Sequence, residues 1–449
     1  MSSLTLRGRC VLAAGGGLLL AGMGMGEQAF LQLAVFVLAL PLLSASAVLR
    51  ERFRLTVRRT VTPARLPRGE SAEAVLEVTN ADDRPGGLWG LTEPLPAELG
   101  RSPRFVVDRL AAGGTAALRY RVHGGRRGRH VLGPLRLRLM DPFGLVERHA
   151  VGADRAVLLV VPRVRPLGPG GPAGGQGGGG EGTRRSIAVH GEDDVSLRGY
   201  RHGDDLRKVH WRASARTGEL MVRLEERPWR ASATLLLDTR SRAHLVAPHA
   251  APQSGTGPAG AGDPAGDTLE WLVEAAASIG TALAHAGAVL RAVTDAGELL
   301  PASGSGQLTP DDLLDRLATV GPSRVSSLAG GVDQLCRAAG DGPVICLLGA
   351  VGADDVADLV RRRSGPTSDS AVLVDIESWA DAGSTGRRSL SNAARGALAR
   401  QREEAAALLA AAGWRVALAR ADRPLADVWA DLGDPLGAGA GRTYLGSTA

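Results

Sequence analysis

Two uncharged apolar runs lie almost back to back at the start of the chain, VLAAGGGLLLAGMGM at 11–25 and AFLQLAVFVLALPLLSASAVL at 29–49, with Gly26, Glu27 and Gln28 between them. At a helical rise of ~1.5 Å per residue the second run covers the ~30 Å of a bilayer's hydrocarbon, while the first is short and needs residues 4–9 to snorkel at its edge. The pair therefore predicts a transmembrane helical hairpin over residues 1–50. Arg7 and Arg9 precede it and Arg50, Arg52, Arg54, Arg58 and Arg59 follow, whereas the turn holds one acid. The positive-inside rule then expects a two-pass protein of the cell membrane, with both termini and the soluble domains cytoplasmic. A signal peptide is the competing reading, with Ala45-Ser46-Ala47 or a site near Gly24 as the cleavage point. The immediate second span and the lack of a polar mature start weigh against it. The glycines at 15–17, 22, 24 and 26 read equally as a helix-packing seam or as compositional bias.

The remaining chain is long enough for real cores, since 449 residues at ~150 per domain suggest about three units. With 44% hydrophobic residues it is neither wholesale disordered nor, outside its first 50 residues, a polytopic transporter. The net charge of +6 would suit a polyanionic partner. However, Lys208 is the only lysine, and the arginines are spread along the chain rather than gathered into a stripe. That is what GC-rich codon usage gives, not a phosphate footprint, and no nucleic-acid partner is expected. Cys10 sits in the first apolar run, and Cys336 and Cys346 lack CxxC spacing. All three are expected to be reduced, buried small residues.

Over residues 51–166 the pattern changes to period two. Residues 54–57, 74–78, 117–122 and 135–139 alternate apolar with polar or charged side chains, and turn signals such as Asp82-Asp83-Arg84-Pro85-Gly86 and Gly113-Gly114 separate them. Short half-buried strands at this spacing predict an all-β sandwich domain. Residues 167–183, rich in glycine, read as a flexible linker. From 234 to 449 the grammar is α/β. Strands are expected at 234–238, 288–294, 343–348, 371–376 and 414–419, with helices at 267–285, 310–319, 354–363 and 391–412. That alternation implies a mostly parallel, doubly wound sheet.

Between linker and sheet, residues 184–233 carry the densest cluster of unusual side chains: Tyr200, His202, Gly203, Asp204, Asp205, Arg207, His210, Trp211, Ser214, Ala215 and Arg216, followed by Leu220 and Glu225. Metal-ligand types are present, but no helical or CxxC spacing draws them together. Salt-bridged structure at a domain junction is the plainer reading, with Asp204 facing Arg207 or Arg216, Trp211 as an apolar plug and Ser214 as a local cap. A partner surface is the third, because Trp, Tyr and Arg dominate binding hot spots.

The spacing Tyr-x-x-Gly-Asp-x-x-Arg-x-x-x-Trp-x-x-Ser-Ala-Arg-x-x-x-Leu over 200–220, with Glu225 beyond it, resembles the signature of the domain of unknown function family numbered 58. Arg127-Gly128-Arg129-His130-x-x-Gly133-Pro134 and Asp141-Pro142-Phe143-Gly144-Leu145 resemble its sandwich segment. The resemblance implies two N-terminal spans, a β-sandwich, a von Willebrand factor A-like C-terminal domain and a role beside MoxR-type AAA+ ATPases. It names no reaction and no cofactor.

Folds of that type often hold Mg²⁺ through Asp-x-Ser-x-Ser after the first strand. The matching stretch here is Asp238-Thr239-Arg240-Ser241-Arg242, with arginine at both serine positions and Gly349 where a later acid would stand. Asp238 is thus the one, weak, metal candidate, and arginine beside it would neutralise it. No Walker A motif, GxGxxG after a strand, HExxH or GxSxG is present, and no catalytic residue is assigned. Three function classes remain: a membrane-anchored adaptor binding protein partners, a metal-dependent adhesion-type module, and an uncharacterised hydrolase.

Overall fold

The computed structural model describes residues 2–50, 54–141, 143–168, 196–199, 211–224, 232–246, 267–301, 304, 307–339, 342–363, 369–382 and 390–433. Contacts divide the described residues into two compact units, one drawn from 1–163 and 314–320, the other from 164–246, 264–313 and 321–449.

The first unit opens with strand β1 (Ser2–Leu4) and helices α1 (Leu6–Met25) and α2 (Gln28–Arg50). Gly26, in the left-handed region at φ 69°, ends α1 and allows the immediate reversal into α2. Both helices are long and apolar enough to cross a membrane. Many of their outward side chains are large and apolar: Leu20, Met23, Leu33, Phe36 and Leu43 are all exposed.

Ten strands follow: β2 (Leu55–Thr62), β3 (Arg65–Pro67), β4 (Ser71–Asn80), β5 (Trp89–Thr92), β6 (Arg104–Val107), β7 (Thr115–His123), β8 (Gly128–Leu132), β9 (Arg136–Met140), β10 (Val146–Val151) and β11 (Ala156–Val161). They form sheets ordered β1-β10-β9-β5-β6, β3-β11-β8 and β2-β4-β7. The period-two pattern does what its chemistry requires. Along β4, Ala72, Ala74, Leu76 and Val78 are buried while Ser71, Glu73 and Glu77 face solvent. The three sheets share a core with Leu66, Trp89, Leu91, Leu132, Leu137 and Leu158, and Val48 near the end of α2 is buried in it.

β1 pairs antiparallel with β10, Leu4 opposite Val146. Asp141, Phe143, Gly144 and Leu145 lie in the turn before β10: Asp141 accepts from the amides of Phe143 at 3.1 Å and Val146 at 2.7 Å. The Thr5 hydroxyl donates to the Gly144 carbonyl at 2.6 Å, and the Thr5 amide to that of Leu145 at 3.0 Å. A Cβ on Gly8 would lie 2.3 Å from the Leu145 carbonyl oxygen, so only glycine lets the first helical turn approach so closely.

The second unit contains a two-stranded sheet of β12 (Ser196–Gly199) and β13 (Met221–Leu224), with helix α3 (Trp211–Thr217) between them in sequence. After these come β14 (Ser232–Leu237), α4 (Thr268–His285), β15 (Val289–Thr294), β16 (Gly297–Glu298), α5 (Pro310–Thr319, which groups with the first unit from Leu314 on), α6 (Ala329–Ala338), β17 (Val344–Leu348) and α7 (Ala353–Arg362). The series ends with β18 (Ser370–Val374), α8 (Ile376–Ala382), α9 (Asn392–Ala411), β19 (Arg415–Ala419) and α10 (Leu425–Gly433). The six-stranded sheet runs β16-β15-β14-β17-β18-β19, parallel except for β16. Every residue of β17 and β18 is buried, which is why these strands read as continuous apolar runs.

Several expectations need correction. Ile376 opens α8 rather than ending its strand, because Asp375 accepts from the Ser378 amide at 3.3 Å and turns the chain into a helix. Helices α6, α8 and α10 had no counterpart in the sequence reading. Only Cys346 is buried, on β17; Cys336 lies on the outer face of α6, and Cys10 on α1 is also exposed. Apart from residues 167 and 168, the expected linker lies outside the described residues. Just before it, the Arg165 amide donates to Ser278 on α4 at 2.9 Å, so the chain is already tied to the α/β unit there.

Candidate functional site

In the parallel sheet β14 comes first in sequence, with β15 on one side and β17 on the other. The chain order reverses at this point, and the crevice beyond the carboxyl ends of β14 and β17 is where open α/β sheets take their ligands. Asp238, the residue immediately after β14, lies there, fully buried. Arg240 folds back on it as a fork: Nε donates to Oδ1 and an Nη to Oδ2, each at 2.9 Å. The other Nη donates at 2.7 Å to Asp355, in the first turn of α7. Arg240 is itself only 1% exposed. The Gly349 amide, after β17, donates to Asp238 Oδ2 at 3.3 Å.

Neighbouring groups fix the loop. Asp295, after β15, accepts from both the amide and the hydroxyl of Thr239, at 2.6 and 2.5 Å, and from the Ser323 hydroxyl. His244 donates through Nε2 to the Asp238 carbonyl at 2.7 Å, since a carbonyl can only accept.

Burial opposes the charge on Arg240, but its hydrogen bonds to Asp238 and then Asp355, with their fields, outweigh this and raise its pKa. The guanidinium therefore stays charged and compensates the buried Asp238 carboxylate. Residues of this composition do not fit Mg²⁺: both oxygens of Asp238 are engaged by Arg240, and Arg242 stands at the second serine position. Among the described residues no group of three or more His, Cys, Asp or Glu is arranged to hold a metal.

For His244 burial dominates and lowers the pKa below its ordinary value, despite the opposing fields of Asp238 and Asp267; Arg240 adds to the lowering. A neutral histidine in the folded state and an ordinary one in the unfolded state mean that the unfolded chain takes up the proton first as pH falls. The contribution of His244 is thus complete above ~6.5 and is lost as pH falls below it. Unfolding in denaturant between pH ~7.5 and ~5.5 is expected to show a smaller loss of stability for His244→Gln than for the natural chain. Equal losses would refute this.

A second charged group follows β18. Arg402 on α9 bridges Asp375 at 2.8 Å and Glu377 at 2.5 Å. Burial first, and then the hydrogen bond with Asp375, raise the Glu377 pKa. A small cavity adjoins it, lined by Gly349, Val351, Leu373, Gln401 and Arg402 among others.

Of the signature residues, Tyr200, Gly203, Asp204, Arg207, His210 and Glu225 lie outside the described residues. Ser214, Ala215 and Arg216 lie in α3 and Leu220 just after it. Trp211 is no apolar plug: it opens α3 and is 67% exposed. The Ser214 hydroxyl accepts from the Met221 amide at 2.8 Å and ties α3 to β13. Sequence reading missed Asp295, Asp355 and His244 around Asp238. The aspartates carried a usable signal, since each stands at a strand's carboxyl end or in a helix's first turn.

Comparison with known proteins adds a family. Residues 196–403 match the family model described as Protein of unknown function DUF58. This supports the DUF58 resemblance, and the matched stretch contains α3 and all the residues around Asp238. No curated protein matches the chain. Among solved structures, the CARDB domain of the PF1109 protein from Pyrococcus furiosus is similar at 14% identity and TM-score 0.18, over 24% of this chain and 94% of that one. The Pseudomonas fluorescens alkylpurine DNA glycosylase AlkC is similar at 17% identity and TM-score 0.15, over 28% and 38%. A β-glucosidase from Listeria innocua is similar at 15% identity and TM-score 0.15, over 24% and 16%. Likenesses of this size define neither fold nor function here.

Proposed function

We propose that this DUF58 chain is a membrane-anchored adaptor whose cytoplasmic domains bind protein partners, among them a MoxR-type AAA+ ATPase. The observation that carries the reading is Trp211, 67% exposed at the start of α3 within the DUF58 segment, with Leu220 exposed as well and Arg216 on the same short helix. A large exposed aromatic on a helix that also carries arginine is the composition of a binding hot spot, not of a core.

The apolar helices α1 and α2 supply the anchor. The pairing of β1 with β10 supports a two-pass arrangement, because it leaves the chain before α1 and the chain after α2 in the same β-rich unit. The arginines at both ends of the hairpin put that side in the cytoplasm. On this reading the first unit is a β-sandwich and the second a von Willebrand factor A-like domain. In the second, a bound arginine has replaced the cation of a metal-dependent adhesion module.

The full-length protein is to be captured from membranes with and without Trp211→Ala. The substitution is expected to leave thermal unfolding nearly unchanged, within ~0.5 kcal/mol as for other exposed sites, while reducing ATPase recovery at least tenfold, a loss of ~1.4 kcal/mol. Undiminished recovery would remove Trp211 as the docking residue and with it the ground for the adaptor reading.

A further inference from the structure

We propose that Phe143, Gly144 and Leu145, in the turn before β10, make a membrane-surface contact, with the Phe143 ring in the interfacial layer of the bilayer and Arg7 and Arg9 at the level of the lipid phosphates. This rests on the reading of α1 and α2 as spanning helices. Thr5 is the N-cap of α1, its hydroxyl accepting from the Gly8 amide at 3.2 Å. The same hydroxyl donates to Gly144, and the backbone of Gly8 is pressed against that of Leu145. The turn is therefore docked on the first turn of α1.

That helix has 20 residues. At ~1.5 Å each they span ~30 Å, so the whole helix is needed to cross the hydrocarbon and its first turn lies at the boundary. Phe143, one residue from Gly144 and so within ~4 Å of it along the backbone, is held at the same depth. It is 60% exposed there, as is Leu6 at 78%. Arg7 reaches over the turn: a Cβ on Gly144 would lie 3.9 Å from its guanidinium. An aromatic ring with arginines at one depth is the side-chain set that the bilayer interface favours. The turn that resembles a family motif thus has a second consequence beyond its own hydrogen bonds: it seats the β-rich unit on the lipid surface.

The test uses the full chain in phospholipid vesicles, with Cys10, Cys336 and Cys346 replaced and a nitroxide attached to Phe143→Cys. Reference labels go on Phe36→Cys, in α2, and Val106→Cys, exposed on β6. Collision with oxygen, which partitions into lipid, is compared with collision with a water-soluble nickel chelate. The expected result at 143 is an oxygen-favoured ratio between the two references, with nickel accessibility several-fold below that at 106. A label at 143 as nickel-accessible as at 106, with 36 shielded, would overturn the surface contact and leave the spanning helices standing. A label shielded from both quenchers would mean that protein covers the ring, and would also overturn it. Nickel access at 36 would remove the spanning reading and the proposal together.

Discussion

Arg240→Ala is expected to destabilise the α/β unit by about 3–5 kcal/mol, the cost of leaving a buried carboxylate without its partner. Asp238 has no exposed surface, and the guanidinium engages both of its oxygens. Without it, the amides of Arg240 and Gly349 are the remaining donors recorded to Asp238, at 3.1 and 3.3 Å. Asp355 suffers less, because its side chain is 16% exposed and water can replace the lost bond. For a unit of this size the melting temperature falls by roughly 6–20 °C. Asp238→Asn combined with Arg240→Met removes both charges and is expected to recover much of the loss, so a thermodynamic cycle isolates the coupling. In the natural chain, millimolar Mg²⁺ is expected to leave the melting temperature unchanged, since a ligand stabilises only by binding the folded state. A Mg²⁺-dependent rise abolished by Asp238→Ala would contradict this, and an Arg240→Ala variant as stable as the parent would show that the fork contributes nothing.

A loss of similar size, about 3–5 kcal/mol, is expected in the β-rich unit for Arg59→Met. Arg59 on β2 and Glu93 after β5 both have fully buried side chains, joined by bonds of 3.0 and 2.8 Å. Arg59 also donates to the backbone and side chain of Asp154, at 2.8 and 3.2 Å. Methionine matches much of the aliphatic length but leaves Glu93 charged in the core. Gly133, at φ +86°, closes the other side: a Cβ there would lie 2.7 Å from the guanidinium nitrogens. Gly133→Ala is accordingly destabilising as well, through contact with Arg59 and through its left-handed backbone. Chemical denaturation followed by circular dichroism distinguishes the variants, and an Arg59→Met protein within ~1 kcal/mol of the parent would refute the assignment.

The motifs quoted from the sequence prove to be of different kinds once their contacts are seen. Gly133 is needed for the space beside Arg59. Asp141 builds the turn that receives Thr5 and Gly8. Trp211, expected as a plug, is a surface residue. The first two roles have no periodicity, since Gly133 meets Arg59, 74 positions away, and the turn meets Thr5, 139 positions before Gly144.

What the sequence by itself determined was local or periodic. Uncharged runs of helical length specify the hairpin helices, alternation specifies β2, β4, β7 and β9, and apolar runs between capped helices specify the parallel strands. Each of these patterns reflects burial repeated every two or 3.6 residues, which a chain displays without knowing its neighbours. Only the tertiary structure decided which charges meet. That Arg240 would hold Asp238 follows in part from their spacing. That Asp355, 115 residues on, completes the clamp, that β1 joins β10, and that Cys336 is exposed while Cys346 is buried follow from the strand order and from how each helix rolls onto the sheet. Such pairings are set by long-range geometry, because the energy of a buried ion pair depends on distance and desolvation in the finished fold and leaves no mark in the order of residues.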